Sequence, residues 1–236
     1  MSPDSALDVD SASNSAPFGQ YRLLRRLRIE TSFMRKGVEI VIAGVGGQGN
    51  LLLSRILGQT ALKAGIEVQI SESYGASQRG GAVFSHVRMS QSHSPVIPLG
   101  RANVLLSLEP SEALRQSRFL AHDGYAIINT RPILPVEVLS GRASYPSIDR
   151  IRDLIARLTS NLFMVDAASL AEKAGDSRTA NTVMLGALNA CDVLPFGPNL
   201  LRDSIPDLVP KRMLEANLRA FDLGGSCILD QRHSQK

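Results

Sequence analysis

Glycines at 44, 46 and 49, in the run Gly44-Val45-Gly46-Gly47-Gln48-Gly49, are the residues whose spacing most directly implies chemistry. The run follows an apolar stretch, Val38 to Ala43, and precedes a helical pattern from Asn50. A strand, a glycine turn and a helix in that order leave amide N–H groups unpaired at the helix N-terminus, where an anion is stabilised. The fit to G-x-G-x-x-G is literal. Glu72, at the end of a strand predicted from Gly65 to Ile70, stands about twenty residues on, where a dinucleotide enzyme places an acid on a ribose hydroxyl. A tight strand-to-helix turn also needs glycine for packing alone, so the motif has a purely structural reading.

A second cluster, Ser77-Gln78-Arg79-Gly80-Gly81, follows and leads into Ala82 to Met89. The alternation in that run predicts a strand with Val83, Ser85, Val87 and Met89 on one face and Phe84, His86 and Arg88 on the other. His86 and Arg88, joined by Arg79 if the glycine pair folds back, would give a polar surface suited to phosphate or carboxylate. The alternative is an ordinary solvated strand face.

The segments GVGGQGNLLLSRILGQTALKAG, SESYGASQRGGAVFSHVRMS and SPVIPLGRANVLLSLEPSEALR together resemble the gamma-type domain of the 2-oxoacid:ferredoxin oxidoreductases. Within that group the chain is most similar to the small (beta) subunits of the indolepyruvate-type enzymes. The resemblance spans roughly Lys36 to Gly224, and the pairing of GxGGQG with SQRGG is more specific than either motif alone. It implies a subunit of an enzyme that oxidatively decarboxylates indolepyruvate or another 2-oxoacid on thiamine diphosphate, passes electrons through iron–sulfur clusters to ferredoxin, and transfers the acyl group to coenzyme A. Thiamine diphosphate, magnesium and the clusters are then expected on a large partner subunit, with no cofactor bound by this chain alone and no activity without the partner. Gly44, Gly46, Gly47, Gln48 and Gly49, with Ser77, Gln78, Arg79, Gly80 and Gly81, become candidates for contact with substrate, coenzyme A or the partner. No catalytic residue and no metal ligand is assigned.

The residues agree with that division of labour. Cys191 and Cys227 are the two cysteines, too few and too far apart for a four-cysteine cluster. No G-D-G run with a downstream asparagine, of the kind that holds magnesium and diphosphate, occurs.

These motifs need elements to position them. Asn50 to Ala64 predicts an amphipathic helix with Gly65 as its stop. Strands are expected at Val68 to Glu72, Ala82 to Met89, Asn103 to Leu108, Tyr125 to Asn129 and Asn161 to Val165. Helices are expected from Glu109-Pro110 to about Phe119, Ile148 to Leu158, Ala167 to Ala174, Thr179 to Ala190 and Lys211 to Leu223, with Pro132 to Leu139 an irregular connection. In the Thr179 to Ala190 helix, Gly186, Ala187 and Ala190 are small enough to let a neighbouring backbone come close. Alternation of strand and helix predicts an α/β fold: a Rossmann-like, mostly parallel sheet with helices on both faces and a helical C-terminal part.

Composition narrows the class further. With 236 residues, 44% of them apolar, the chain can bury an ordinary core. Its formal charge of +4, from 26 basic and 22 acidic side chains, is too balanced for nucleic acid to be the expected partner. No apolar run reaches the roughly 20 residues of a membrane span, and two cysteines without a secretory signal point to a reducing, cytoplasmic setting. Residues 1–35 form a distinct extension. Its first part, through Gly19, has a disordered composition, and Gln20 to Glu30 resembles a short basic helix. Asp4, Asp8 and Asp10 weaken a transit-peptide reading. The domain itself is expected to run from 36 to 226 as a pyruvate/ketoisovalerate oxidoreductase gamma-type domain, followed by a tail at 227–236. The competing functional reading is a free-standing dinucleotide-binding oxidoreductase that uses Gly44, Gly46 and Gly49 for pyrophosphate and Glu72 for ribose; a regulatory binding module is a third.

Overall fold

The computed structural model describes residues 37–74, 81–89 and 94–234. The N-terminal extension and Ser77, Gln78, Arg79 and Gly80 lie outside the described residues, so the expectations placed on them are not addressed by it.

The apolar run before the glycine turn forms β1 (Val38–Val45), with seven of its eight residues buried because both of its faces are covered. The chain then makes α1 (Asn50–Lys63), β2 (Gln69–Tyr74), β3 (Ala82–Met89), β4 (Ala102–Ser107) and α2 (Pro110–Gln116). A 3-10 turn (Ser117–Phe119) leads into β5 (Leu120–Asn129), followed by α3 (Val136–Leu139), α4 (Ile148–Ala156), β6 (Asn161–Val165) and α5 (Ala167–Ala174). After a second 3-10 turn (Ser177–Thr179) come α6 (Ala180–Ala190), α7 (Pro198–Ser204) and α8 (Lys211–Ser234).

The six strands lie in the order β2-β3-β1-β4-β5-β6. β1, β4, β5 and β6 are mutually parallel, while β3 runs antiparallel to both β1 and β2. Only β3 is therefore reversed, and the sheet is mostly parallel as the alternation of elements predicts. Ile40, Ile42, Val104 and Leu106 turn to one face, where α1, α5, α6 and α8 cover them. Val41, Ala43, Leu105 and Ile128 turn to the other, against Ala113 of α2 and Ile151 and Ile155 of α4. The helix after β1 thus packs on one face and the helix after β4 on the other. The strands' carboxyl ends diverge between them, at the switch point where open α/β sheets form a crevice.

Local signals set the helix ends. Gly65 closes α1 at φ 71°, with Ile66 N–H donating to Ala61 O and Gly65 N–H to Leu62 O, a Schellman pair that only a left-handed residue completes easily. α8 departs from expectation. It continues past Leu223 to Ser234, so residues 227–234 belong to a helix and not to a tail. Gly224, the residue after the expected end of this helix, is a packing residue. A Cβ on Gly224 would stand 1.9 Å from Val183 O, and one on Gly186 1.9 Å from Phe221 O. The backbones of α6 and α8 touch there, as the small residues of α6 predict. Thr182 Oγ1 donates across the same contact to Asn217 Oδ1 at 2.6 Å.

β5 starts at Leu120, earlier than the expected Tyr125, and a short helix, α3, occupies part of the connection expected to be irregular.

Candidate functional site: the glycine edge

The glycine turn sits at the carboxyl end of β1, and its side chains brace the neighbouring strands. Gln48 Oε1 accepts from Val45 N–H at 2.8 Å, and Gln48 Nε2 donates to Leu108 O at 2.8 Å, beyond the end of β4. Asn129, at the end of β5, donates from Nδ2 to the same Leu108 carbonyl at 2.9 Å, while its Oδ1 accepts from Ala167 N–H at 3.2 Å and Arg131 N–H at 3.3 Å. One carbonyl with two lone pairs therefore ties three parallel strand ends together. Gln48, expected to meet a ligand, spends its oxygen and one N–H on this brace.

The two glycine clusters do meet. Gly46 N–H donates to Gly81 O at 2.9 Å, next to the register pair Val45 and Ala82. The antiparallel pairing of β3 with β1 brings them together, and it also consumes an amide expected to face an anion. Gln48 N–H is likewise spent on Val45 O at 3.1 Å. Gly47 and Gly49 N–H have no backbone acceptor among the described residues.

Two of the glycines are needed for close approach. A Cβ on Gly44 would lie 2.6 Å from Asn50 Oδ1 and 2.9 Å from Gln48 Oε1. Gly49, at φ 89°, would place one 2.3 Å from Asn181 Nδ2. The turn separates two hollows. One, about 450 Å³, lies on the β3 side between Val45, Gly46, Asn50, Leu51 and Val83. The other, about 230 Å³, lies between Gly47, Gln48 and Asn129 on one side and Arg178 of the second 3-10 turn and Asn181 of α6 on the other.

His86 and Arg88 do not form the polar surface expected of them. The face of β3 that carries them is covered, over His86, by Phe119 and by the segment at Ile97. His86 is 3% exposed, packed edge-on to Phe119 with ring centroids 4.9 Å apart and near Phe84 at 5.4 Å. Its Nδ1 accepts from Ile97 N–H at 2.9 Å. Burial, aided by the charges of Arg88 and Arg118, lowers its pKa and keeps the ring neutral. Arg88 is locked to Glu39 at 2.5 Å and to the carbonyls of Ser94 and Val96, at the end of the sheet opposite the glycine turn.

Glu109 is the site residue that pattern reading understates. It is fully buried and caps α2 by accepting from Glu112 N–H at 3.0 Å. It also accepts from Ser111 Oγ at 2.7 Å, Tyr145 Oη at 2.5 Å and Ile133 N–H at 3.2 Å. Burial and this bond to Glu109 raise the Tyr145 pKa, so the phenol stays protonated and donates. The Glu-Pro pair marks the cap in sequence, but nothing in the spacing reveals the partners from residues 133 and 145.

Among the described residues, the side chains do not fit the metal cofactors that the resemblance implies for the complex. Cys191 is buried, donates to Ala187 O and has its pKa pushed up to about 12 by desolvation. Cys227 accepts from Gln231 Nε2, and among the described residues no three metal-ligating side chains gather. At the glycine edge both oxygens of Glu109 are taken by donors.

Glu72, the expected ribose ligand, lies on β2, separated from β1 by β3, and accepts from Ser54 Oγ at 3.1 Å. A dinucleotide enzyme carries its acid on the strand beside β1. The fold and the site therefore define a Rossmann-like domain whose glycine turn lacks the ribose partner.

Residues 39–227 match the family described as pyruvate ferredoxin/flavodoxin oxidoreductase. The chain is 38% identical to indolepyruvate oxidoreductase subunit IorB of Archaeoglobus fulgidus, over 84% of this chain and 98% of that one. It is 41% identical to the subunit of the same name from Pyrococcus horikoshii, over 80% and 95%. Among solved structures it is similar to the gamma subunit of a keto/oxoacid ferredoxin oxidoreductase from Geobacter sulfurreducens, with a TM-score of 0.60 and 25% identity over 82% of this chain and 99% of that one. The chain belongs to the pyruvate ferredoxin/flavodoxin oxidoreductase family, as a small subunit of the 2-oxoacid:ferredoxin oxidoreductase type. The reading as a free-standing dinucleotide enzyme falls with that assignment.

Proposed function

We propose that the chain is the small subunit of an indolepyruvate-type oxidoreductase and completes its active site by docking the glycine edge against a large subunit. The observation that carries this reading is the identity of about 40% over nearly the whole length of relatives named as indolepyruvate oxidoreductase subunits. The reaction converts indolepyruvate, or another aryl 2-oxoacid, and coenzyme A into acyl-coenzyme A, carbon dioxide, a proton and two electrons, which pass to ferredoxin. Thiamine diphosphate, expected with magnesium and the iron–sulfur clusters on the large subunit, would supply the carbanion stabilisation that decarboxylation requires. This chain positions, excludes water and binds; alone it is inactive. The complex works in the cytoplasm.

Several features support docking at the glycine edge. Gly44, Gly46, Gly47, Gln48, Gly49 and Gly81 gather there on a braced backbone, and Ser77, Gln78, Arg79 and Gly80 are proposed contact residues on the sequence motif alone. Beside them Ile133 and Leu134 are about 40% exposed and Val136 and Leu139 70%, on a segment held by the Ile133 bond to Glu109. Exposed apolar side chains on a fixed backbone suit a subunit contact. No helix among the described residues is long and apolar enough to cross a membrane.

The test is to co-express this chain with the thiamine-carrying subunit and follow viologen reduction by indolepyruvate and coenzyme A. Activity is expected from the pair and from neither chain alone, and Arg79→Ala is expected to reduce it while leaving the chain folded. An active large subunit that ignores this chain would overturn the reading.

A further inference from the structure

Two buried oxygens on α2 stand one helical turn apart and accept nothing. Glu112 is 4% exposed and Gln116 6%, and among the described residues Glu112 Oε2 and Gln116 Oε1 meet no donor. Residues four apart share a helix face, with Cβ atoms about 5–6 Å from one another, and the later side chain leans back toward the earlier one. Glu112 reaches the other way, since its Oε1 accepts from Arg115 Nη1 at 3.1 Å, three residues on. Two acceptors on one buried face, each deprived of water, lack a donor between them. A proton on the carboxyl is the smallest donor that serves both. A carboxylic acid donates from one oxygen and keeps the other as an acceptor, so the contact from Arg115 to Oε1 survives.

The charges around Glu112 are compatible with a neutral acid. Burial raises its pKa above the ordinary 4.5, Arg115 lowers it from a side chain that is 58% exposed, and the Glu109 carboxylate raises it. The strands beneath α2 present apolar Val41, Ala43, Leu105 and Ile128. On α4, Asp149 and Asp153 are paired with Arg152, and Arg150 is exposed. Arg118 of the 3-10 turn lies over the Phe119 ring, and Tyr145 donates to Glu109. Glu112 N–H also donates to Glu109 Oε2 at 3.0 Å, while Oε1 of that carboxylate holds Ile133 N–H at 3.2 Å. A change in the first turn of α2 therefore reaches the segment that begins at Ile133.

We propose that α2 is a proton-dependent element, in which a proton on Glu112 Oε2 donates to Gln116 Oε1 and its release to solvent loosens the helix that Glu109 ties to Ile133. This goes beyond the subunit reading and does not depend on it. With the proton bound, both oxygens are satisfied; without it, a charged oxygen is left beside another acceptor. Because the folded pKa lies above the unfolded one, this stability is fully present below pH 4.5 and is lost as pH rises through the folded value.

In the full chain, labelled with carbon-13, the Glu112 carboxyl is followed by NMR as pH is raised from about 4 to about 8. It is expected to titrate above 4.5. Gln116→Met, of similar length, removes the acceptor and is expected to lower that midpoint by about half to one pH unit, because a bond accepted from the neutral acid favours it. A midpoint raised in Gln116→Met would mean that the amide donates to a charged carboxylate, and would overturn the proposal, as would a wild-type midpoint at or below 4.5. Glu112→Gln places an N–H where the proton sits and is the second variant, read in thermal melts. It is expected to match the wild type in acid and to melt higher at about pH 8, with slower exchange of the Ile133 amide there. A difference between this variant and the wild type that does not change with pH also overturns the proposal.

Discussion

The glycine edge and the α6–α8 helix pair both depend on glycine, but for opposite purposes. At the edge, Gly44 and Gly49 leave space that polar side chains enter: Asn50 and Gln48 over the first, Asn181 over the second. In the helix pair, Gly186 and Gly224 leave space that backbone enters, bringing each helix onto the other's carbonyls. A flexible side chain gives way when crowded, whereas a helical carbonyl does not. The edge should therefore tolerate change in stability and suffer in function, and the helix pair the reverse.

The strongest break of that contrast is Gly186→Ala. With Phe221 O in the way, the helices must separate, at a cost of about 3 kcal/mol, a Tm loss of roughly 6–12 °C in a thermal melt. A variant melting with the wild type would mean that the close contact contributes nothing. Next comes Glu109→Gln, which replaces an acceptor-only carboxylate facing four donors with a group that must itself donate. A loss of about 1–3 kcal/mol is expected in urea unfolding, together with looser protection of the Ile133 amide in hydrogen exchange.

Gly47→Ala sharpens the other side of the comparison. A Cβ there meets nothing within 4 Å, so only the φ of 102° resists it, about 1–2 kcal/mol of strain. The chain should fold and the activity of the complex should fall; unchanged turnover would detach the turn from function. The smallest effect is in pH. His86 has a folded pKa below its ordinary 6.5 because it is buried. The unfolded chain then binds more protons, so the stability associated with the neutral ring is present above pH 6.5 and lost as pH falls below it toward the folded value. Melts of wild type and His86→Asn across that range should differ in slope, and parallel slopes would remove His86 as the cause.

The same contrast explains what could be read from the residues. The strands, the turn and the α1 stop at Gly65 follow from local patterns, because apolar runs and a left-handed glycine act within a few residues. The fate of His86 does not, since alternation sorts side chains onto faces without saying that Phe119 and the Ile97 segment cover that face of β3. Gly224 is undecided for a related reason: glycine ends a helix or lets one touch another, and only the position of Val183 decides which. Asn181 gives no signal of its own in the sequence. It becomes notable when α6 is placed against Gly49, 132 residues earlier in the chain. The family resemblance, by contrast, rests on two motifs near one another and was open to reading from the start.

The Leu108 carbonyl, shared by Gln48 and Asn129, has a consequence for association. Most surfaces surrender conformational freedom when a partner arrives, and that ordering subtracts from the affinity. Here the ends of β1, β4 and β5 are already fastened to one atom, so a partner meets an edge with little freedom left to lose. Gln48→Ala would return some of that freedom, and the complex would pay in affinity for a contact that the partner never makes.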